Sequence, residues 1–124
     1  MTPKKILVVD DSEAARLLQA TMLKAHRYAV VSASDGQQAI EKARAELPDL
    51  VLMDVVMPKM GGLEACRLLR AHPTTAHIPI LIVTTHADDP DDVCKKTGAN
   101  GYVTKPIDGP SLLARIRELF GEPV

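Results

Sequence analysis

Pro48-Asp49-Leu50-Val51-Leu52-Met53-Asp54 is the stretch whose reading governs the fold. Leu50–Met53 is apolar without interruption. A strand with one wet face alternates polar and apolar residues; an unbroken run means that both faces are covered, as in a parallel sheet flanked by helices. Pro48-Asp49 closes the helix before it, because a proline disfavours helical geometry in the residue that precedes it. The run ends on a lone carboxylate, Asp54.

Working outward, four more apolar runs are read as strands: Lys5–Val9, Tyr28–Ala33, Ile78–Thr84 and Gly101–Lys105. Tyr28–Ala33 is the weakest and is expected nearest an edge. Amphipathic segments separate the runs. From Ser12 to His26, Ala15, Leu18, Met22 and Ala25 recur at helical spacing and predict one apolar stripe. Ala39, Ile40, Ala43 and Leu47 do the same from Gly36 to Glu46, and Leu63, Cys66, Leu69 and Leu68 from Gly62 to Ala71. The last helix, about Ser111 to Phe120, presents Leu112, Leu113, Ile116, Leu119 and Phe120, with Asp108 as its cap and Gly121 at its end. Asp88–Thr97 offers only Val93 and Cys94 as apolar contacts among Asp88, Asp89, Asp91 and Asp92, so a short helix is expected there. Strand–helix alternation of this kind implies right-handed crossovers and an α/β fold, a doubly wound five-stranded parallel sheet.

Composition excludes several classes. A chain of 124 residues makes one domain, 1–124, with 46% hydrophobic and 25% charged residues. Lys+Arg 15 against Asp+Glu 16 gives a net charge of −1, so no basic excess exists to hold a nucleic acid. No apolar run nears the ~20 residues a membrane span needs, and Met1–Asp10 is too short for a signal peptide. Cys66 and Cys94 lack metal-ligand spacing, as do the histidines at 26, 72, 77 and 86. A reduced, cytoplasmic setting without membrane insertion is expected.

In open sheets of this kind ligands bind at the carboxyl ends of the strands. Those ends carry Asp10 and Asp11, then Asp54, then Thr84 and Thr85, then Lys105 before Pro106. Each residue alone reads as a turn former or a solvated charge. Together they bring three carboxylates to one rim, where they repel one another unless a cation lies among them. Lys105 can serve, and so can a hard divalent ion such as Mg²⁺, which prefers carboxylate oxygens, waters and a phosphate oxygen. No glycine-rich loop follows Val9 to cradle a pyrophosphate, so a phosphoryl group fits better than a nucleotide. A carboxylate can also be a nucleophile toward phosphorus, and Asp54, opposite the acidic pair, is the best placed.

The segments Ile6–Ser12, Pro48–Pro58, Pro79–Thr85 and Gly98–Pro106, in this order and spacing, resemble the receiver domain of bacterial two-component response regulators. The resemblance covers nearly the whole chain. It implies a CheY-like, flavodoxin-like sheet with strand order 2-1-3-4-5. It implies phosphorylation of Asp54 by a sensor histidine kinase or a histidine phosphotransfer protein. It assigns Asp11, Asp54 and the Val56 carbonyl as direct Mg²⁺ ligands, with Asp10 acting through water. Lys105, on a cis bond to Pro106, would pair with the phosphoryl group. Thr84 and Tyr102 would form the switch, and backbone amides near Val56 and Thr85 the cradle. An aliphatic Val56 cannot position an attacking water, which suggests a long-lived acyl phosphate, while His86 reads as an exposed loop residue.

Gly61-Gly62 stands where the family often has an acidic cap, Ile107 follows Lys-Pro where Phe is usual, and the 85–98 region is about one residue short. The first of these leaves a helix without a side-chain cap. With no further domain after Phe120, the expected output is a changed affinity for a downstream target protein, in chemotaxis-like signalling or as a phosphorelay carrier. The chain would then be a switch and not an enzyme. A flavodoxin-like electron carrier is the first rival, disfavoured by 2% aromatics and the acidic pair. An Asp-nucleophile phosphohydrolase is the second, disfavoured because Asp10 and Asp11 are adjacent.

Overall fold

A computed structural model describes residues 3–55, 61–84 and 90–122. Strands and helices alternate throughout: β1 (Lys5–Val9), α1 (Glu13–Ala25), β2 (Ala29–Ala33), α2 (Gly36–Glu46), β3 (Leu50–Asp54), α3 (Gly62–Ala71), β4 (Ile80–Thr84), α4 (Pro90–Thr97), β5 (Gly101–Thr104) and α5 (Gly109–Phe120). The strands form one sheet in the order β2-β1-β3-β4-β5. Every pairing is parallel, with Val9 beside Met53, Asp54 beside Val83 and Thr84 beside Thr104.

The continuous apolar runs are explained by burial on both faces. Leu7, Val9, Val51, Met53, Ile80 and Ile82 pack with Ala39, Ala43, Cys66 and Leu69 of α2 and α3. Their strand neighbours Ile6, Val8, Leu50, Leu52, Leu81 and Val83 turn to the other face, against Leu23 of α1 and Leu112, Leu113 and Ile116 of α5. The period of two in a strand thus divides the apolar residues between two half-cores. β2 lies at an edge and is mostly half-exposed, as its weaker run suggests. Val93 and Cys94 are the α4 side chains that pack on the first half-core. No helix among the described residues is long and apolar enough to cross a membrane.

Side-chain caps begin three of the helices. Ser12 accepts from the Ala15 amide, Asp35 from Gln38 and Asp108 from Ser111. Gly61 caps α3 with no side-chain hydrogen bond, as its lack of a side chain dictates. α5 starts at Gly109, two residues before the position the pattern suggests, because Pro110 is compatible with a first turn.

Four details correct the sequence reading. Tyr28 and Ile78 lie outside the strands yet are buried, since an apolar run reports burial and not ladder pairing. β3 runs one residue further, to Asp54, and β5 one residue less, to Thr104. Leu47 and Leu68 are exposed: Leu47 is the left-handed cap of α2, turned away from the core, and Leu68 lies on the outer side of α3. The largest correction concerns α1. Leu18 is 67% exposed and Ala25 is exposed as well, while the buried residues are Gln19 and Leu23. The helix is rotated about one residue from the expected stripe, with Leu23 in the core and Arg16 and Gln19 on Asp10.

Candidate functional site

Because all five strands run the same way, their carboxyl ends share one rim. β1 delivers Asp10 and Asp11, β3 delivers Asp54, β4 delivers Thr84 and β5 is followed by Lys105. Asp10, Asp54 and Thr84 are 1%, 2% and 1% exposed, so two of the carboxylates are inside the protein while Asp11 faces solvent. One oxygen from each of Asp10, Asp11 and Asp54 can be chosen so that all lie within 4.8 Å of one another. The Lys105 ammonium reaches over them, with Nζ 3.1 Å from Asp54 Oδ2 and 3.9 Å from Asp10 Oδ2.

Local folding explains each position. The Lys105 amide donates to the Thr84 carbonyl at 2.8 Å, tying the end of β5 to that of β4, and the Lys105–Pro106 bond is cis. Asp10 is held at several atoms. Its amide donates to the Ala33 carbonyl, and its Oδ1 accepts from the Ser12 amide at 3.0 Å. Its Oδ2 accepts from Gln19 Nε2 at 3.4 Å, and its carbonyl accepts from Arg16 Nη1 at 2.7 Å. Asp54 is fixed through its backbone. The Val55 amide donates to Val83, and Gly62 lies so close to the Asp54 carbonyl that a Cβ there would overlap that oxygen.

Three carboxylates and one ammonium leave the rim with excess negative charge if all are ionised, and the donors are all hard oxygens. That set suits a hard divalent cation completed by water or phosphate oxygens. The two buried carboxylates rule out a merely solvated acidic patch, since charge is removed from water only where something compensates it.

The structure therefore brings Asp10, Asp11, Asp54, Thr84 and Lys105 together. Tyr102 is half-buried on β5, beside Ile82, on the sheet face that Thr84 shares. Val56, Met57, Thr85 and His86 lie outside the described residues. Sequence reasoning missed Arg16, Gln19 and Gly62. Gly62 was read only through the missing cap beside it; Gln19 becomes conspicuous once the rotation of α1 is known. The cysteines take no part. Burial pushes the Cys66 thiol up to about 12, and burial likewise raises that of Cys94, so both behave as small apolar groups.

The chain is similar to known proteins over nearly its whole length. The chain is 46% identical over 117 residues to the response regulator PleD of Caulobacter vibrioides, a match that covers 93% of this chain but 26% of PleD. It is 42% identical to the protein PilH of Pseudomonas aeruginosa over 94% of this chain and 97% of PilH. Among solved structures, the receiver domain of the sensor histidine kinase PA1611 from Pseudomonas aeruginosa superposes with a TM-score of 0.88 at 30% identity, covering 97% of this chain and 99% of that one. That structure has a magnesium ion coordinated in its active-site cleft. Residues 6–117 match the family model of the response regulator receiver domain, and the chain belongs to that family.

Proposed function

We propose that Asp54 accepts a phosphoryl group from a phosphohistidine of a sensor kinase or phosphotransfer protein, and that residues 1–124 act as one signalling switch. The observation that carries the reading is a buried carboxylate at a strand end, 3.1 Å from a lysine ammonium and within one acidic nest. An Asp54 oxygen attacks phosphorus as the phosphorus–nitrogen bond of the donor breaks. The imidazole leaves with that electron pair and takes up a proton, and an acyl phosphate remains on Asp54. Lys105 then follows a phosphoryl oxygen in place of the carboxylate oxygen it holds, and offsets the charge on the transferring group.

Asp11 and Asp54, with the Val56 carbonyl, would hold Mg²⁺ directly, and Asp10 through water. The ion supplies neutralisation of the phosphoryl oxygens. Backbone amides near Val56 and Thr85, outside the described residues, would complete the cradle. Thr84 moves to bond the new phosphoryl oxygen, and Tyr102 follows it along the shared face. The modified aspartate thereby favours one conformation of the β4–β5 edge, and a downstream target protein reads the difference. A coupling typical of allosteric proteins changes such affinity about 5- to 150-fold. The setting is cytoplasmic, and the output runs through protein contacts and not nucleic acid.

Incubation with Mg²⁺ and a small acyl phosphate or phosphoramidate, followed by intact mass measurement, tests the reading. One added phosphoryl group is expected on the native chain and none on Asp54→Asn. Equal labelling of both would overturn the assignment of Asp54.

A further inference from the structure

Helix α1 turns Gln19 inward with Leu23, and Leu17 and Leu18 outward. Gln19 is 3% exposed, whereas Leu17 and Leu18, the two residues before it, are 68% and 67% exposed. The packing of Met22 and Leu23 turns this face toward the core but gives no reason for an amide at position 19. A leucine turned inward would gain about 1.5–3 kcal/mol from burial, and an amide withdrawn from water costs about 1–3 kcal/mol unless it is hydrogen-bonded. What Gln19 meets inside is Asp10. Its Nε2 donates to Oδ2 at 3.4 Å, and one turn earlier Arg16 donates to the carbonyl of the same residue at 2.7 Å. With the Ser12 amide on Oδ1, the carboxylate is held on both oxygens.

We infer that Gln19 is a positioning residue for the metal site, one that fixes the Asp10 carboxylate in the orientation from which it serves a divalent cation. The inference rests on the metal reading above and extends it to a side chain that touches neither ion nor phosphoryl group. The physical reason is electrostatic. Asp10 shares its rim with two other carboxylates, so without a donor on Oδ2 it would turn away from them. Lys105 lies nearer Asp54, at 3.1 Å, than Asp10, at 3.9 Å, and donates its hydrogen bond to Asp54. An amide is suited to the task because it donates without adding charge, leaving the rim negative enough for the ion. Ligating carboxylates are themselves commonly hydrogen-bonded, and loss of such a partner typically weakens metal binding about 10- to 100-fold.

The test is Mg²⁺ titration of the full chain, followed by NMR, for the native protein, Gln19→Met, Asp10→Asn and the double variant, with melting recorded in EDTA. Methionine matches glutamine in length and removes the amide, its donor included. Gln19→Met is expected to melt no lower than the native chain in EDTA, yet to bind Mg²⁺ about tenfold more weakly. In the Asp10→Asn background the same substitution should change affinity less than about twofold, since the cycle isolates the pair. Native-like Mg²⁺ affinity in Gln19→Met would overturn the inference and leave the metal reading standing. So would an equal loss in both backgrounds, which would mean that Gln19 acts through something other than Asp10. No Mg²⁺ uptake by the native chain would remove the metal reading and this inference with it.

Discussion

Buried ionisable residues have two kinds of surroundings here. Asp10 and Asp54 are as buried as any core side chain but face an ammonium, and Asp10 also accepts backbone and amide donors. Cys66 is equally buried but sits in an apolar half-core, where the thiolate is disfavoured and the thiol rises from 9.0 to about 12. The unfolded chain releases the Cys66 proton near its ordinary value, while the folded chain keeps it. The folded state thus binds more protons above pH 9, and its stability falls as pH rises toward 12. The contribution is fully present below about pH 9 and is lost at up to about 1.4 kcal/mol per pH unit above it. Urea midpoints measured between pH 8 and 10.5 should fall more steeply for the native chain than for Cys66→Ala. Parallel slopes would show that the buried thiol does not titrate as described.

Short elements and close approaches define the site more than loop length does. α3 begins without a side-chain cap, yet its first residue lies against the Asp54 carbonyl, where only a glycine fits. Gly62→Ala must push α3 away from β3 or shift the Asp54 backbone. Overpacking of this kind costs about 1–3 kcal/mol. The expected result is a lower melting temperature together with slower phosphoryl labelling, read by calorimetry and intact mass. A variant that labels at the native rate would show that the approach of α3 does not position Asp54. At the opposite end of α3, Arg70 does a different job. Its guanidinium donates to the carbonyls of Ala76, Ile78 and Gly98 and to Asn100 Oδ1, joining the turn after α3 to the turn before β5. A cap such as Asp108 is legible because it acts within a few residues. Gly62 and Arg70 act across the fold.

At the scale of the whole molecule, the described residues gather three carboxylates at one rim and one lysine ammonium over them, a repulsive arrangement unless a cation joins it. Stability and function therefore oppose each other there. Mg²⁺ at about a hundred times its dissociation constant should add about 2.7 kcal/mol, which for a chain of this size is a rise of roughly 10 °C in melting temperature. Asp11→Asn removes the exposed member of the cluster. Its metal-free form should melt a few degrees higher than the native chain, with most of the Mg²⁺-dependent rise gone. A native response to Mg²⁺ in this variant would remove Asp11 from the ion's ligands. The measurement is a pair of scans, with EDTA and with Mg²⁺.

From the order and kind of its residues alone, the chain determined a parallel sheet flanked by helices, its weak edge at β2, and the rim on which Asp10, Asp11, Asp54, Thr84 and Lys105 meet. Unbroken apolar runs mean burial on both faces, and parallel strands can gather their carboxyl ends on one side only. Tertiary packing decided what local pattern cannot contain: the rotation of α1 that buries Gln19 and exposes Leu18, the approach of Gly62 to the Asp54 carbonyl, and the reach of Lys105 to its carboxylate. A helix turns to whichever face the rest of the molecule holds most firmly. In α1 the inward face carries both Leu23 and the hydrogen bonds to Asp10, and Leu18 is left outside.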